Sequence, residues 1–143
     1  MVYLRAVGLT LGVLLGVAWT STTAQRVRVF SDEAALWLDA AAQAPQKPRA
    51  WINLGKQFHL EGREAEAFQF YARGREAALN RQRPQTEQIV SAALAESNIA
   101  LLHAERREYH EARIYSQAAR TRAPHNQSVR KVDEWIRTLP DSP

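Results

Sequence analysis

The chain has 143 residues, of which 45% are hydrophobic and 24% are charged, and its formal net charge is +4. This balance is that of one modest globular domain, and it excludes a wholly disordered chain. The absence of cysteine excludes a disulfide scaffold, a thiol nucleophile and any cysteine-ligated metal site. The excess of positive charge is mild, so it permits an anionic partner or membrane surface without requiring one.

The N-terminal segment is the most apolar part of the sequence. Residues 2–24 contain one charge, Arg5, and residues 6–19 are apolar apart from Thr10. At about 1.5 Å rise per residue, a helix of this length reaches across a hydrocarbon core of about 30 Å. We therefore predict a single-pass membrane anchor in residues 1–24, with the remainder on the extracytoplasmic side. The small residues at 22–24 leave open a secretory signal cut after Ala24, and a buried helix of a soluble domain is a third interpretation.

From Ser31 onwards the sequence indicates helices and no strands. Ala, Leu, Glu, Gln and Arg dominate, and apolar residues recur at i, i+3 and i+4 between the prolines. Ser31 is a favourable N-cap for a first helix that ends at Pro45 and carries Leu36, Trp37 and Ala40 on one face. These features predict an all-α fold.

One stretch of the helical region carries a repeat pattern. Residues 51–58 read W-I-N-L-G-K-Q-F, and Ala67 and Tyr71 follow in the next predicted helix. This pattern resembles the tetratricopeptide repeat (TPR), which has W-x2-L-G-x2-Y in its first helix and A-x3-F in its second. A weaker copy has Asn98-Ile99-Ala100 in place of Asn53-Leu54-Gly55, and it lacks the Trp and the turn Gly of the first, with Glu96 and Arg107 there instead.

The resemblance implies a short helical solenoid that follows the membrane helix. Its parts would be a linker and half-repeat at 25–47, repeats at 48–81 and 93–126 separated by a spacer at 82–92, and a capping helix and tail at 127–143. We expect one helix of about 20 residues to restart at Pro84 and run through the spacer into the second repeat. The capping helix should span roughly residues 126–138 and end before Pro140.

The sequence offers little that could carry catalysis. Its four histidines do not follow a metal-binding spacing, and no P-loop, dinucleotide fingerprint or nucleophile motif occurs. We therefore predict no enzymatic activity, no cofactor and no metal. The basic stretch from Arg113 to Lys131 is interpreted as a solvated face, with an anionic lipid surface as an alternative; nucleic-acid binding is not expected because Tyr115 is its one aromatic residue.

The surface most suited to a function is the groove that the first helices of TPRs usually line. Carried over to this sequence, the groove positions and the asparagines beside them are Arg49, Ile52, Asn53, Lys56, His59, Leu60, Leu94, Ser97, Asn98, Leu101 and Glu105. We call this set the predicted groove. Its mixture of apolar, basic and amide groups suits a peptide segment of a protein partner.

A second resemblance covers about residues 20–55. The run L-W-L-D at 36–39, Pro45 and R-A-W-I-N-L-G at 49–55 is similar to the junction between the last membrane span and the TPRs of bacterial polytopic glycosyltransferase-type proteins. The resemblance implies a bacterial protein. Residues 1–143 contain one predicted span rather than the several of that family, so its activity is not carried over. The sequence thus predicts a membrane-anchored adaptor or accessory subunit that works beside a membrane-embedded protein partner. A secreted or periplasmic TPR factor and a substrate-binding piece of a membrane glycosyltransferase are the alternatives.

Overall fold

The computed structural model describes residues 33–80 and 84–140, and the unit formed by Leu36–Pro143 carries the predicted repeats. The predicted anchor in residues 1–24 and the predicted N-cap at Ser31 lie outside the described residues. Among those that are described, no helix combines the length and the apolar character that crossing a membrane would require.

All regular structure in the described ranges is helical, which confirms the prediction of an all-α fold. The helices are α1 (33–43), α2 (Pro48–Leu60), α3 (Glu64–Leu79), α4 (Thr86–Glu105), α5 (Tyr109–Arg122) and α6 (Gln127–Ile136). Helix α1 ends two residues before Pro45, as predicted. Helix α4 has the predicted 20 residues, although it begins at Thr86 rather than Pro84. Its start is fixed by the Gln88 side chain, which accepts a hydrogen bond from the backbone N–H of Gln85 at 2.7 Å.

Helices α2 and α3 form the first hairpin, and its turn depends on a left-handed residue. Gly62 has φ of 73°, its N–H donates to the carbonyl of His59, and the next N–H, of Arg63, donates to the carbonyl of Phe58. This pair of bonds is a Schellman motif, which favours glycine because a side chain is strained at positive φ. The second hairpin, α4 and α5, turns in the same way with Arg107 at φ of 63° in the glycine position.

Two glycines allow helices α2 and α3 of the first hairpin to approach each other closely. A Cβ added to Gly55 on α2 would lie 2.5 Å from Cε1 of Tyr71 on α3, and one added to Gly74 would lie 2.8 Å from Cγ1 of Ile52. Tyr71 is 1% exposed, so its ring fills the space that Gly55 leaves. The close approach at Gly55 agrees with the expectation that small residues bring the two helices together.

The hairpins stack so that α2, α4 and α6 follow one another. Helix α2 contacts α4, α4 contacts α6, and each helix from α2 onwards also packs against the next one along the chain. Equivalent positions lie 45 residues apart between α2 and α4 and 34 apart between α4 and α6. Three positions are buried on all three helices: Ala50, Ala95 and Val129; Leu54, Ile99 and Asp133; and Gln57, Leu102 and Ile136.

Helix α6 closes the stack at its C-terminal end. The Asn126 side chain caps it by accepting hydrogen bonds from the backbone N–H groups of Ser128 and Val129. Val129 and Ile136 are fully buried against the second hairpin. The observed α6 therefore lies within the range predicted for the capping helix and ends before Pro140.

A buried carboxylate connects the two hairpins. Glu96 on α4 is almost fully buried, and it accepts hydrogen bonds from Nε of Arg75 on α3 at 2.8 Å and from Nε of Arg122 on α5 at 2.9 Å. Because both guanidinium groups are partly exposed, they keep some hydration while they neutralise the carboxylate. Glu96 stands where the first hairpin has Trp51, so an ion pair replaces an aromatic packing residue at this position.

Candidate functional site

The predicted groove occupies matching positions on two neighbouring helices. Arg49, Asn53, Lys56 and Leu60 lie at i, i+4, i+7 and i+11 of α2, and Leu94, Asn98, Leu101 and Glu105 occupy the equivalent positions of α4. Such a spacing places each set along one side of its helix. Arg49, Lys56, Leu60 and Glu105 are exposed, and Asn53, His59, Leu94, Asn98 and Leu101 are half-buried. These nine residues are accessible to a partner.

Two members of the predicted groove are buried instead. Ile52 is 5% exposed because it packs against the backbone of Gly74, where α2 and α3 approach most closely. Ser97, the equivalent residue of α4, is 3% exposed, and its hydroxyl finds no hydrogen-bond partner among the described residues. Both side chains therefore belong to the packing within the stack rather than to its open surface.

The structure brings two predicted groove residues into contact. Nε2 of His59 on α2 lies 2.8 Å from Oε2 of Glu105 on α4, so this pair ties the C-terminal ends of the two helices together. The other ring nitrogen, Nδ1, lies 3.5 Å from the hydroxyl of Tyr71. Burial, together with the nearby charge of Glu105, raises the pKa of the Tyr71 phenol above its ordinary value. Burial therefore disfavours the ionised form of this phenol, which faces the His59 ring across a long contact.

The opposite end of the groove is open and positively charged. Neither Arg49 nor Lys56 forms an ion pair within the part of the chain that the structure describes. A surface cavity of about 350 Å³ lies beside Arg49, between the first turns of α2 and α4. Its lining consists of Gln46, Lys47, Pro48, Arg49, Glu87, Gln88 and Ser91.

One exposed side chain at an equivalent position was missed in the sequence analysis. Trp135 is 45% exposed on α6, at the position that Lys56 has on α2 and Leu101 has on α4. Val132 likewise corresponds to Asn53 and Asn98. The position of Trp135 follows from the sequence, because the 34-residue step from Leu101 leads directly to it, whereas the predicted groove includes only residues of α2 and α4.

Much of the basic stretch is engaged within the protein. Arg113 donates to the carbonyl oxygens of Leu139 and Pro140, Arg120 donates to that of Pro124, and Arg122 binds Glu96. Arg130 pairs with Glu134 on the next turn of α6, at 3.5 Å. These arginines hold α5, α6 and the following residues in place, so the stretch is less available to an anionic surface than its sequence indicates.

His103 is engaged in packing and hydrogen bonding within the second hairpin. His103 stacks on Tyr115 with ring centroids 5.4 Å apart, meets Phe68 edge-on, and binds Glu108 through Nδ1 at 2.6 Å. It occupies the position of Phe58 in the first hairpin, where Arg63 lies over the ring. Within residues 33–80 and 84–140, no group of three or more acidic residues and histidines lies close enough to hold a metal ion.

Comparison with known proteins gives no relative on which to base a function. No family model matches the sequence, and neither the curated proteins nor the solved structures contain a significant match. The TPR resemblance therefore remains a prediction from the residues that carry it.

Proposed function

We propose that this protein is a membrane-anchored interaction module of the TPR type, which binds a protein partner and serves as an adaptor or accessory subunit of a larger membrane complex. The observation that carries the proposal is the open side of α2 and α4. There Asn53 and Asn98 occupy equivalent positions, and Arg49 and Lys56 stand beside them without an internal ion pair in the described part of the chain.

The chemistry of this side suits the backbone of a bound peptide. Asparagine side chains offer both a donor and an acceptor, and neither amide forms a hydrogen bond with another described residue. An extended segment has free backbone N–H and C=O groups that such amides can satisfy, whereas the backbone of a helix is already bonded internally. We therefore favour an extended partner segment that crosses from α2 to α4.

The membrane part of the proposal depends on the sequence of residues 2–24. This segment is long and apolar enough to span a bilayer, and we propose that it holds the helical stack on the extracytoplasmic side. The alternative, a factor released after cleavage at Ala24, is supported by the small residues at 22–24. The intact mass of the mature protein separates the two, because cleavage would remove residues 1–24.

The proposal is tested by purifying the tagged full chain from gently solubilised membranes and identifying by mass spectrometry what accompanies it. We expect a membrane protein to copurify in near-stoichiometric amount, and the yield should fall when Asn53 and Asn98 are both replaced by Ala. A matched control is the double replacement of the exposed residues Gln69 and Gln117 on α3 and α5 by Ala. Recovery of the free monomer alone would contradict the proposal.

A further inference from the structure

The open side of the stack changes its chemistry from α2 to α6. Three rows cross the helices at equivalent positions: Arg49, Leu94 and Ser128; Asn53, Asn98 and Val132; and Lys56, Leu101 and Trp135. The α2 end of these rows has two cations, the α4 section has two leucines, and the α6 end has an exposed indole. These three rows are not uniform, and a ligand that lies across them meets cations first and apolar groups afterwards. The next row, which begins with the exposed Leu60 and the carboxylate of Glu105, lies outside this path.

The cations at the α2 end have a charge that the described residues do not neutralise. The exposed Arg49 and Lys56 lie seven residues apart on one side of α2, and neither forms an ion pair in the described ranges. Lys47 adds a third cation at the cavity beside Arg49, which Glu87 offsets only in part. Carboxylates of a partner are the complementary groups for this end.

The α6 end suits apolar groups of a partner rather than carboxylates. The side chain of Trp135 is 45% exposed, and it is the one aromatic residue among the exposed large apolar residues of the described part of the chain. An exposed aromatic ring is the kind of surface on which large apolar side chains of a partner bind strongly, and Leu101 has the equivalent position on α4. Arg130 and the exposed Lys131 offset the exposed carboxylate of Glu134, so these three side chains give this end no net negative charge.

We infer that the groove selects an extended segment with carboxylates at one end and a large apolar side chain at the other. This inference rests on the proposed function and specifies the partner's chemistry. Neighbouring packed helices lie about 8–10 Å apart, so the distance from α2 to α6 is about 20 Å. An extended chain covers that distance in about six residues. The acidic residues should therefore precede or follow the apolar residue by about five positions.

The test uses two fluorescein-labelled octapeptides, Asp-Glu-Asp-Gly-Ser-Gly-Phe-Leu and the same residues in reverse order, because either chain direction satisfies the inference. Their binding to the full chain in mild detergent is measured by fluorescence anisotropy at one fixed salt concentration. We expect at least one of the two octapeptides to bind. Its counterpart with Lys in place of the three acidic residues should bind at least about tenfold more weakly.

Variants of the protein test which end of the rows binds the acidic part of the peptide and which end binds the apolar part. Replacing both Arg49 and Lys56 by Glu should weaken binding of the acidic peptide by about tenfold or more and should improve binding of the Lys peptide. The matched control, Arg73→Glu with Arg107→Glu, changes the net charge equally at exposed positions outside the rows and should leave the affinity within about twofold. Trp135→Ala should weaken binding of the Phe peptide and leave a version with Ala in place of Phe and Leu unaffected.

Several results would overturn the inference. They are failure of both octapeptides to bind, an equal loss in the charge-matched control, and an unchanged affinity of the Trp135→Ala variant for the Phe peptide. Circular dichroism of each variant separates a lost site from a lost fold. If a partner still copurifies from membranes while the octapeptides fail, the interaction function stands and only the inferred ligand chemistry is wrong.

Discussion

Gly55 has less space for a side chain than the other described glycines of the first hairpin. A Cβ at residue 55 would overlap the ring of Tyr71, which is itself fully buried. In an isolated helix, alanine is more favourable than glycine by about 1 kcal/mol, so the helix propensity alone would predict a gain. We expect the steric cost to exceed that gain.

Gly55→Ala should therefore lower the free energy of unfolding, by about 1–3 kcal/mol, because overpacking forces the ring or the backbone to shift. Gly55→Leu should lower the free energy of unfolding further, because its side chain is larger. Ala72→Gly, at a half-buried position on α3, provides a control in which a small helical residue changes without a clash, so that only helix propensity and the loss of one partly buried methyl group act. Chemical denaturation measures the free energy of unfolding of all three variants. A stabilised Gly55→Ala variant would show that the hairpin is not closed by this contact.

Arg107 occupies a backbone conformation that suits glycine better. Its φ of 63° costs a residue with a side chain about 1–2 kcal/mol, and the equivalent turn of the first hairpin has Gly62 at φ of 73°. Arg107→Gly should raise the free energy of unfolding by about 0.5–1 kcal/mol, since the relief of strain outweighs the added chain entropy. The reciprocal change, Gly62→Arg, should lower it. Equal melting temperatures for both variants and the unmodified protein would contradict this explanation.

The phenol of Tyr71 should make the fold sensitive to alkali. Burial raises its pKa in the folded chain, so the unfolded chain loses this proton first as the pH rises above about 10. The contribution to stability is complete below that pH and decreases above it. Tyr71→Phe keeps the ring against Gly55 but removes the ionisable hydroxyl. The melting temperature of this variant should therefore fall less steeply between pH 9 and about pH 11 than that of the unmodified protein. Parallel slopes would mean that the phenol is not buried.

At the scale of the elements, Glu96 is the ion-pair link between α3, α4 and α5. Removing one partner from a buried ion pair usually costs about 3–5 kcal/mol, whereas an exposed pair contributes less than about 1 kcal/mol. The guanidinium groups of Arg75 and Arg122 are partly exposed and can be rehydrated, so the cost here should lie near the lower end of that range.

Glu96→Ala should accordingly destabilise the protein by about 3 kcal/mol. Glu134→Ala removes an exposed carboxylate that pairs with Arg130 at 3.5 Å on α6, and it should change stability by less than about 0.5 kcal/mol. Urea denaturation of the two variants makes the comparison. Similar losses in both would indicate that Glu96 is hydrated and does not connect the hairpins.

The helices could be predicted from the sequence because proline, helix-forming residues and apolar spacing act locally. The length of α4 and the end of α1 followed from the prolines, and the position of the first turn followed from Gly62. The ion pairs of Glu96 and the contact between His59 and Glu105 could not be predicted. They join residues far apart in sequence, and charged residues have no periodicity that identifies their partners.

At the scale of the whole molecule, nine of the eleven predicted groove residues lie at exposed or half-buried positions, and the binding of a partner there stays a prediction. Ile52 and Ser97 were assigned to the open surface by position alone, whereas the close approach of neighbouring helices buries them. Trp135 is exposed on the terminal helix, which the sequence pattern assigns to capping alone. In both cases the exposure depends on which helix lies alongside, and that information is tertiary.

The central claim is that the open side of α2 binds a protein partner without contributing to the fold. Arg49→Ala with Lys56→Ala tests it directly, because both side chains are exposed and each replacement should change stability by no more than about 0.5 kcal/mol. The measurement is the amount of partner that copurifies with the tagged full chain at low and at moderate salt, alongside a thermal melt. We predict a normal melt, weaker association and a flatter dependence on salt. Unimpaired association with a normal melt would contradict the claim and would place the interface elsewhere on the chain.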